Sequence, residues 1–579
     1  MMHKTMYEKW LNDPIIDDAT KAELREIAGN DKEIEDRFYK ELDFGTGGLR
    51  GVLGAGTNRL NIYTIRKATQ GLANYILSSD AYKPGMAVAI AHDSRRMSPE
   101  FSTEAALVLN ANGIKTYTFD SLRPPPLLSF AVRSLGCVAG IVVTASHNPP
   151  EYNGYKVYWS DGGQCPSPRD EEIIREVENV TDFSMVKTIS QADAAEKGLF
   201  NIAPASVDDE FIKNVKAQCL NPEIIADSDI KIVFTPLHGA GNVPVRRALS
   251  ESGFKNVFVV PEQEAPDGNF PTVGYPNPEA REAFECALKL ANKEDADIVI
   301  ATDPDCDRVG VAIKHAGDYM LLNGNQTGVI LTEYMLSQMK AKGTLPKNGA
   351  IISTIVSTGM TQAICEANGL TYFEVLTGFK YIGEKIKEFE ATNSHTFILG
   401  FEESYGYLAG TYARDKDAVV ASLLVCEAAT YYKKKGLSLY DALLEIYAKY
   451  GLYKETIESI TLKGVDGVAD IKRIMAALRS TPPATLGGVS VAEARDYKSK
   501  TIKDMATDAV SATTLPVSDV LYYTTTDGSW ACVRPSGTEP KIKLYFGAKL
   551  GVSATEKDAD DKLNSMIKDL KAVVNAALA

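Results

Sequence analysis

The chain has 579 residues, too many for one hydrophobic core, so roughly three to five domains are expected. Its 45% hydrophobic and 24% charged content is that of a globular protein, and a formal net charge of −14 argues against nucleic acid or an anionic membrane surface as a partner. No apolar run reaches the length of a membrane span, the N-terminus lacks the apolar core of a signal peptide, and the 8 cysteines include no C-x-x-C pair, so a cytoplasmic location with reduced thiols is expected and neither a zinc site nor a disulfide framework is indicated.

Residues 8–42 alternate charged and apolar positions at helical spacing and read as a surface helical arm without chemistry. Residues 44–51, Phe-Gly-Thr-Gly-Gly-Leu-Arg-Gly, form a turn able to bring backbone N–H groups close to a phosphate, although such a turn suits any tight loop. Helix 61–76, strand 86–91, helix 101–112 and strand 114–119 follow, an alternation that points to a doubly wound parallel sheet.

The apolar run 140–143 reads as a short buried strand, and the polar turn Thr144, Ala145, Ser146, His147, Asn148 stops it. Pro149 and Pro150 continue neither a helix nor a central strand, which leaves Ser146 on an exposed loop at the carboxyl end of the strand, where open α/β sheets place their chemistry. The loop reading extends through Asn153, Gly154 and Tyr155 to Lys156. Residues 166–204 are polar and poorly periodic apart from helix 170–177, which puts the first boundary near 205.

A second set runs through strand 231–235, helix 243–252 and strand 257–260 to strand 298–301, which ends at Asp303, Pro304, Asp305, Cys306, Asp307 and Arg308. A third runs through helix 326–339 and strands 351–355, 372–375 and 396–399, with the loop Thr377, Gly378, Phe379, Lys380 and the loop Gly400, Phe401, Glu402, Glu403, Ser404. Helix 417–432 reads as core because Glu427 interrupts it, and helix 438–447 leads out. Beyond residue 455, alternating strands 456–462, 520–525 and 529–533 with helices 468–478 and 558–576 suggest a smaller domain carrying Arg534, Pro535, Ser536, Gly537, Thr538, Glu539 and Pro540. The expected fold class is α/β: three similar mixed α/β domains in tandem (1–205, 206–325, 326–455), then a smaller C-terminal α+β domain (456–579), with the active site in a central cleft.

Asp303, Asp305 and Asp307 alternate, so on an extended loop three carboxylates can converge on one hard cation. Arg308 and Lys314 stand where an EF-hand needs Gly and Glu, and few protein ligands completed by substrate oxygens is the manner of Mg²⁺; a solvated acidic loop is the plainer alternative. Glu402 and Ser404 offer an acceptor and a donor suited to sugar hydroxyls. Arg534, Ser536, Gly537 and Thr538 combine a charged fork, hydroxyls and backbone N–H groups, as a phosphate dianion requires. Together these imply a substrate with phosphate at one end and hydroxyls in the middle.

Ser-His-Asn-Pro, Asp-Pro-Asp-x-Asp-Arg, Gly-Phe-Glu-Glu-Ser and Arg-Pro-Ser-Gly-Thr-Glu-Pro, in this order over the whole chain, resemble the four signature loops of the α-D-phosphohexomutases, the superfamily of phosphoglucomutases and phosphomannomutases. Length and the Gly-Thr-Gly-Gly-Leu-Arg-Gly stretch look closest to its longer branch, which also contains phosphopentomutases. The resemblance implies that Ser146 is phosphorylated, with Mg²⁺ between it and the three aspartates, since a serine oxygen needs its phosphate neutralised. It implies two transfers: phospho-Ser146 gives its group to a sugar 1-phosphate, the bisphosphate turns end for end, and Ser146 takes back the other phosphate. Glucose 1,6-bisphosphate is then the expected activator, a small phosphosugar the expected partner, and a monomer or weak dimer the expected state.

In the same resemblance Arg50 reaches into the active site, and Lys156 is first choice as general acid or base, with His147, Arg308 and Lys380 as further candidates for proton transfer and charge stabilisation. Thr377, Gly378, Lys380, Glu402, Ser404, Arg534, Ser536, Gly537 and Thr538 are the expected substrate-binding residues. The chain departs from one pattern, because Tyr405, Gly406 and Tyr407 stand where some dual-specificity mutases carry a histidine. A phosphopentomutase, a serine phosphatase and a non-catalytic sugar-phosphate sensor are the competing readings; an ATP-dependent kinase is disfavoured, because no G-x-x-x-x-G-K-[ST] loop occurs.

Overall fold

The computed structural model describes residues 2–45, 48–462, 467–536 and 541–578. They divide into two compact units, one of Met1–Asn323, Phe379–Phe397 and Ser404–Lys434, the other of Gly324–Gly378, Ile398–Glu403 and Lys435–Ala579.

In the first unit the arm expected over 8–42 is three helices, Met2–Asn12, Asp18–Glu26 and Asp31–Phe38. It has a small core of its own, in which Tyr7, Trp10, Ile16, Leu24, Ile34 and Phe38 pack with Tyr63. Trp10 stands edge-on to Phe38 and to Tyr63 with ring centroids 5.7 and 5.5 Å apart, the favoured geometry for aromatic pairs.

The first sheet is built from β1 (Phe44–Gly45), β2 (Gly48–Val52), β3 (Ala87–His92), β4 (Lys115–Thr118), β5 (Ala139–Val143), β6 (Tyr152–Trp159) and β7 (Phe200–Ile202). Their order is β1-β2-β6-β5-β3-β4-β7. As expected, β3, β4 and β5 run parallel; β7, within the stretch read as poorly periodic, adds a further parallel strand. The stretch read as loop from Asn153 to Lys156 is instead β6, antiparallel to β5 with Val142 opposite Lys156. Tyr152, Tyr155, Val157, Tyr158 and Trp159 make it a strand, and Gly154 is present for close approach: a Cβ there would lie 2.5 Å from the Thr144 oxygen. Helix Pro125–Ser134 was not anticipated, because proline at the first helical positions reads as loop although it fits there.

The second sheet repeats the plan. It comprises β8 (Lys231–Thr235), β9 (Asn256–Val259), β10 (Ile298–Thr302), β11 (Val309–His315) and β12 (Asp318–Leu322), in the order β12-β11-β10-β8-β9. Here β8, β9 and β10 are parallel and β11 returns antiparallel to β10. In both sheets a fully buried central strand runs into a polar turn and comes back as its antiparallel neighbour. The turn after β5 carries Ser146, and the turn after β10 carries the three aspartates.

In the second unit β13 (Gly349–Thr354) pairs parallel with β14 (Thr371–Val375). β15 (Thr396–Phe401) and β16 (Tyr407–Ala409) bracket Glu402, Glu403 and Ser404 in the chain. An antiparallel sheet follows from β17 (Leu452–Thr461), β18 (Thr485–Leu486), β19 (Val489–Asp496), β20 (Thr501–Asp504), β21 (Val510–Ala512), β22 (Leu521–Thr525), β23 (Trp530–Pro535) and β24 (Lys541–Leu550). Helices Gly467–Ser480 and Glu556–Leu578 cover it, and Ile474, Leu478, Met566 and Leu570 share a core with Leu521, Tyr523 and Phe546. All eight cysteines are unpaired, and six are buried. Among the described residues no helix is long and apolar enough to cross a membrane.

Candidate active site

Because β5 and β10 are equivalent strands, the turns at their carboxyl ends meet. Ser146 is 3% exposed, not on an open loop as expected, because the aspartate turn covers it. Its Oγ donates to Oδ2 of Asp303 at 2.7 Å and lies 3.2 Å from Nδ1 of His147. Thr144 Oγ1 accepts the Ser146 N–H at 2.8 Å and lies 3.2 Å from Oδ2 of Asp305, so it links the two turns.

Asp303, Asp305 and Asp307 are all buried and bring carboxylate oxygens within 4.8 Å of one another. Asp303 Oδ1 accepts the N–H groups of Asp307 and Arg308, at 3.1 and 3.0 Å, which closes the turn on itself. Burial and the neighbouring charges of Asp305 and Asp307 hold the Asp303 carboxyl well above its usual range. Asp307 is held low despite burial, chiefly by Lys416, Lys156 and Arg308. Oδ1 of Asp305 and Oδ1 of Asp307 are buried without a hydrogen-bond partner among the described residues. An unpaired buried carboxylate oxygen is costly, so a hard cation among these oxygens answers the pattern they leave. The donor set fits Mg²⁺.

Lys156 enters from β6, one strand over from Ser146. Its Nζ stands 3.0 Å from Asp305 and 3.5 Å from Asp307. Burial alone would lower its pKa, but those two carboxylates reverse the shift and raise it. Burial and the positive charges of Arg308 and Arg50 push His147 well below the usual imidazole range, so its ring is neutral. Its ring packs edge-on against Tyr275. Arg308 pairs with Glu279 at 2.7 Å, and Arg50, on β2, donates to Oδ1 of Asn148 at 3.3 Å.

Lys380 opens helix Phe379–Thr392 rather than lying in a loop, and its Nζ is 3.3 Å from buried Asp170. Ser404 is partly exposed. In the second unit, Oε1 of Glu402 accepts the Gly378 N–H at 2.9 Å, which joins two of the expected sugar-loop residues, and Thr377 Oγ1 is a buried hydroxyl without a hydrogen-bond partner among the described residues. Arg534, next to last in β23, lies opposite Lys543, and the Ser536 N–H donates to the Lys541 oxygen at 2.7 Å. Gly537 and Thr538 lie outside the described residues.

Two cations were missed. Lys416 Nζ stands 3.2 Å from Asp307 and 3.1 Å from Asp415, whose other oxygen accepts the Tyr158 hydroxyl at 2.6 Å. The run Arg414, Asp415, Lys416, Asp417 was the available signal, since four charges abutting an apolar helix need partners and all four are buried. Arg95 is the other; it sits in the polar run 92–96 that ends β3, a strand end of the same kind as that of Ser146.

A buried hydroxyl set against a carboxylate triad, with paired lysines and turns at the carboxyl ends of two α/β sheets, defines an enzyme built for phosphoryl transfer. The phosphoglucomutase/phosphomannomutase alpha/beta/alpha domains I, II and III match residues 41–183, 209–317 and 323–450, and the C-terminal domain of that family matches 466–564. A phosphoglucomutase of Staphylococcus aureus strain MRSA252 is 37% identical over 573 residues, 98% of either chain. One from strain bovine RF122 / ET3-1 is 38% identical over 537 residues, 92% of this chain and 94% of the other. Parafusin, a phosphoglucomutase of Paramecium, has the same fold in its open form, with TM-score 0.68 at 16% identity over 93% of this chain and 96% of that one. So does a phosphoglucomutase/phosphomannomutase family protein of Burkholderia thailandensis, with TM-score 0.64 at 19% identity over 91% of this chain and 96% of that one. The chain belongs to the phosphoglucomutase/phosphomannomutase family, mutases of the isomerase class.

Proposed function

We propose that the chain interconverts a hexose 1-phosphate and its 6-phosphate, with glucose preferred, through phosphorylated Ser146 and a bisphosphorylated sugar. The observation that carries this is the 2.7 Å contact between Ser146 Oγ and Asp303 beside two unpartnered carboxylate oxygens. Asp303, Asp305 and Asp307 would hold Mg²⁺ with a phosphoseryl oxygen. When bound, the ion supplies the positive charge that offsets charge building on the transferring phosphoryl group.

The protein's own groups account for the remaining requirements. Lys156, kept charged by Asp305 and Asp307, places a second cation at the reacting oxygens and can donate a proton to a leaving sugar oxygen. His147, neutral and 3.2 Å from Oγ, stands beside the serine as a second acceptor, after Asp303, for its proton. Arg50 and Arg308 add positive charge at the mouth of the serine turn, where an anionic substrate must enter against a net charge of −14. Glu402, Ser404, Thr377, Gly378 and Lys380 would read the sugar, and Arg534 with Ser536, Gly537 and Thr538 would hold the waiting phosphate. Glucose 1,6-bisphosphate is the activator that phosphorylates Ser146 at the outset.

Glucose is favoured over a pentose because both Staphylococcus relatives, at 37% and 38% identity, are phosphoglucomutases. The test is a coupled assay on glucose, mannose and ribose 1-phosphates, with and without glucose 1,6-bisphosphate. Activator-dependent glucose 6-phosphate is the expected product, and release of inorganic phosphate alone would favour the phosphatase reading.

A further inference from the structure

The turn that carries Ser146 holds a costly backbone shape. Ser146 has a φ of 52°, in the left-handed region that residues with a Cβ seldom adopt. One buried side chain accounts for the shape. Arg95, 1% exposed, donates from Nη2 to the carbonyl oxygen of Ser146 at 2.6 Å and to that of Asn148, and from Nη1 to those of Pro149 and Tyr152 at 2.9 and 3.0 Å. Four carbonyls of one turn thus converge on one planar fork, a geometry that only a guanidinium matches.

The buried charge is itself supported. Its Nε lies 3.5 Å from Oδ2 of Asp93, and the ring of Phe270, from the segment between β9 and β10, faces the guanidinium at 5.0 Å. Asp93 then reaches the same turn from its other side. Its Oδ2 accepts the Thr144 hydroxyl at 2.6 Å, and that hydroxyl oxygen accepts the Ser146 N–H at 2.8 Å. Ser146 is therefore gripped at its carbonyl by Arg95 and at its amide through Asp93 and Thr144, so that only the side-chain torsion is left to aim Oγ at Asp303.

We infer that Arg95, braced by Asp93 and Phe270, is a positioning residue for phosphoryl transfer: it fixes the Ser146 backbone so that Oγ stands at the carboxylate cluster. The inference rests on Ser146 being the phosphoryl carrier. Arg95 touches no expected substrate group, so its loss should slow chemistry at the serine without weakening sugar binding. A displacement of about 1 Å at a reacting atom costs on the order of 100-fold in rate.

The experiment compares wild type, Arg95→Lys and Phe270→Leu. Arg95→Lys retains the charge but cannot span four carbonyls; kcat on glucose 1-phosphate should fall about 100-fold with KM changed less than about twofold. Single-turnover phosphorylation of Ser146 by glucose 1,6-bisphosphate should slow by the same factor. Phe270→Leu keeps Arg95 and removes only the ring beneath it, so a drop in kcat of about tenfold at unchanged KM is expected even if the lysine variant folds poorly. Millimolar methylguanidinium, but not methylammonium, should restore part of kcat in Arg95→Ala. An unchanged kcat in folded Arg95→Lys and in Phe270→Leu, or a rise in KM that accounts for the loss, would overturn the inference while leaving the mutase reading intact. A wild-type protein never phosphorylated at Ser146 would overturn both, and that result is read first.

Discussion

The hydroxyl oxygen of Ser146 lies 2.7 Å from Oδ2 of Asp303, although 157 residues separate them in the chain. The contact exists because β5 and β10 occupy the same place in two sheets of the same plan, so the turns that follow them point to one spot. The expected phosphoryl carrier and the expected cation ligands are thereby supplied by different sheets.

The unpartnered oxygens of Asp305 and Asp307 make the cation dependence testable. Asp305→Asn should lower kcat by at least about 100-fold while the melting temperature of the metal-free protein changes little. Excess chelator should stop turnover of the wild type and added Mg²⁺ should restore it. Full activity in chelator would show that the buried triad works without a cation.

Gly48 sits at the approach of β2 to β6, with φ of 109° and a Cβ that would fall 1.9 Å from the Tyr155 oxygen. Gly48→Ala should push β2, and with it Arg50, away from the serine turn, lowering kcat/KM together with stability by about 1 to 3 kcal/mol. Gly45→Ala, whose Cβ would meet no described atom closer than the Gly48 oxygen at 3.7 Å, is the control and should be mild in both assays. Equal effects from the two substitutions would remove the geometric argument.

A pH dependence of stability follows from Glu455 in the second unit. Burial raises its pKa from 4.5 to about 7, and hydrogen bonds from Thr358 and Asn325, the latter at 3.0 Å, only partly offset this. The folded state therefore holds the proton more tightly than the unfolded chain; the stabilising contribution is complete below 4.5 and is lost as pH rises through about 7. Glu455→Gln keeps the acceptor for Asn325 and cannot ionise. Melting curves of wild type and variant should differ least near pH ~5, with the variant gaining as pH approaches ~8. Parallel curves across that range would assign the slope to other groups.

The sequence showed the fold best where strand and turn are contiguous. Both β5 with Ser146 and β10 with the aspartates read correctly, because a short apolar run ending in dense polarity needs no knowledge of distant partners. Lys156 was placed in a loop because Asn153 and Gly154 mimic a turn, whereas Gly154 is required by the backbone of Thr144 packing against it. Lys416 and Arg95 went unassigned because their roles depend on partners 109 and 51 residues or more away, Asp307 and the Ser146 turn. The helix beginning at Pro125 was hidden by the very residues that suit its first turn. The burial of Ser146 was not legible, because the turn that covers it comes from another sheet.

The second unit holds the group expected to anchor the phosphate that is not reacting. Arg534, next to last in β23, lies opposite Lys543, and the Ser536 N–H donates to the Lys541 oxygen. Losing an arginine from a desolvated phosphate contact costs about 2 to 5 kcal/mol. Arg534→Ala should weaken turnover from the 1-phosphate and from the 6-phosphate alike, while phosphorylation of Ser146 by saturating glucose 1,6-bisphosphate proceeds. Unchanged rates in both directions would make this turn structural.

The most direct measurement is the phosphate on Ser146 during turnover, read by rapid quench, peptide mass and a parallel assay of glucose 6-phosphate. After exposure to glucose 1,6-bisphosphate and Mg²⁺, one phosphate should reside on the Ser146 peptide and pass to added glucose 1-phosphate at the rate of turnover. It should be absent, with turnover lost, in Ser146→Ala. Phosphate confined to other residues, or glucose 6-phosphate formed at the wild-type rate by Ser146→Ala, would contradict the account.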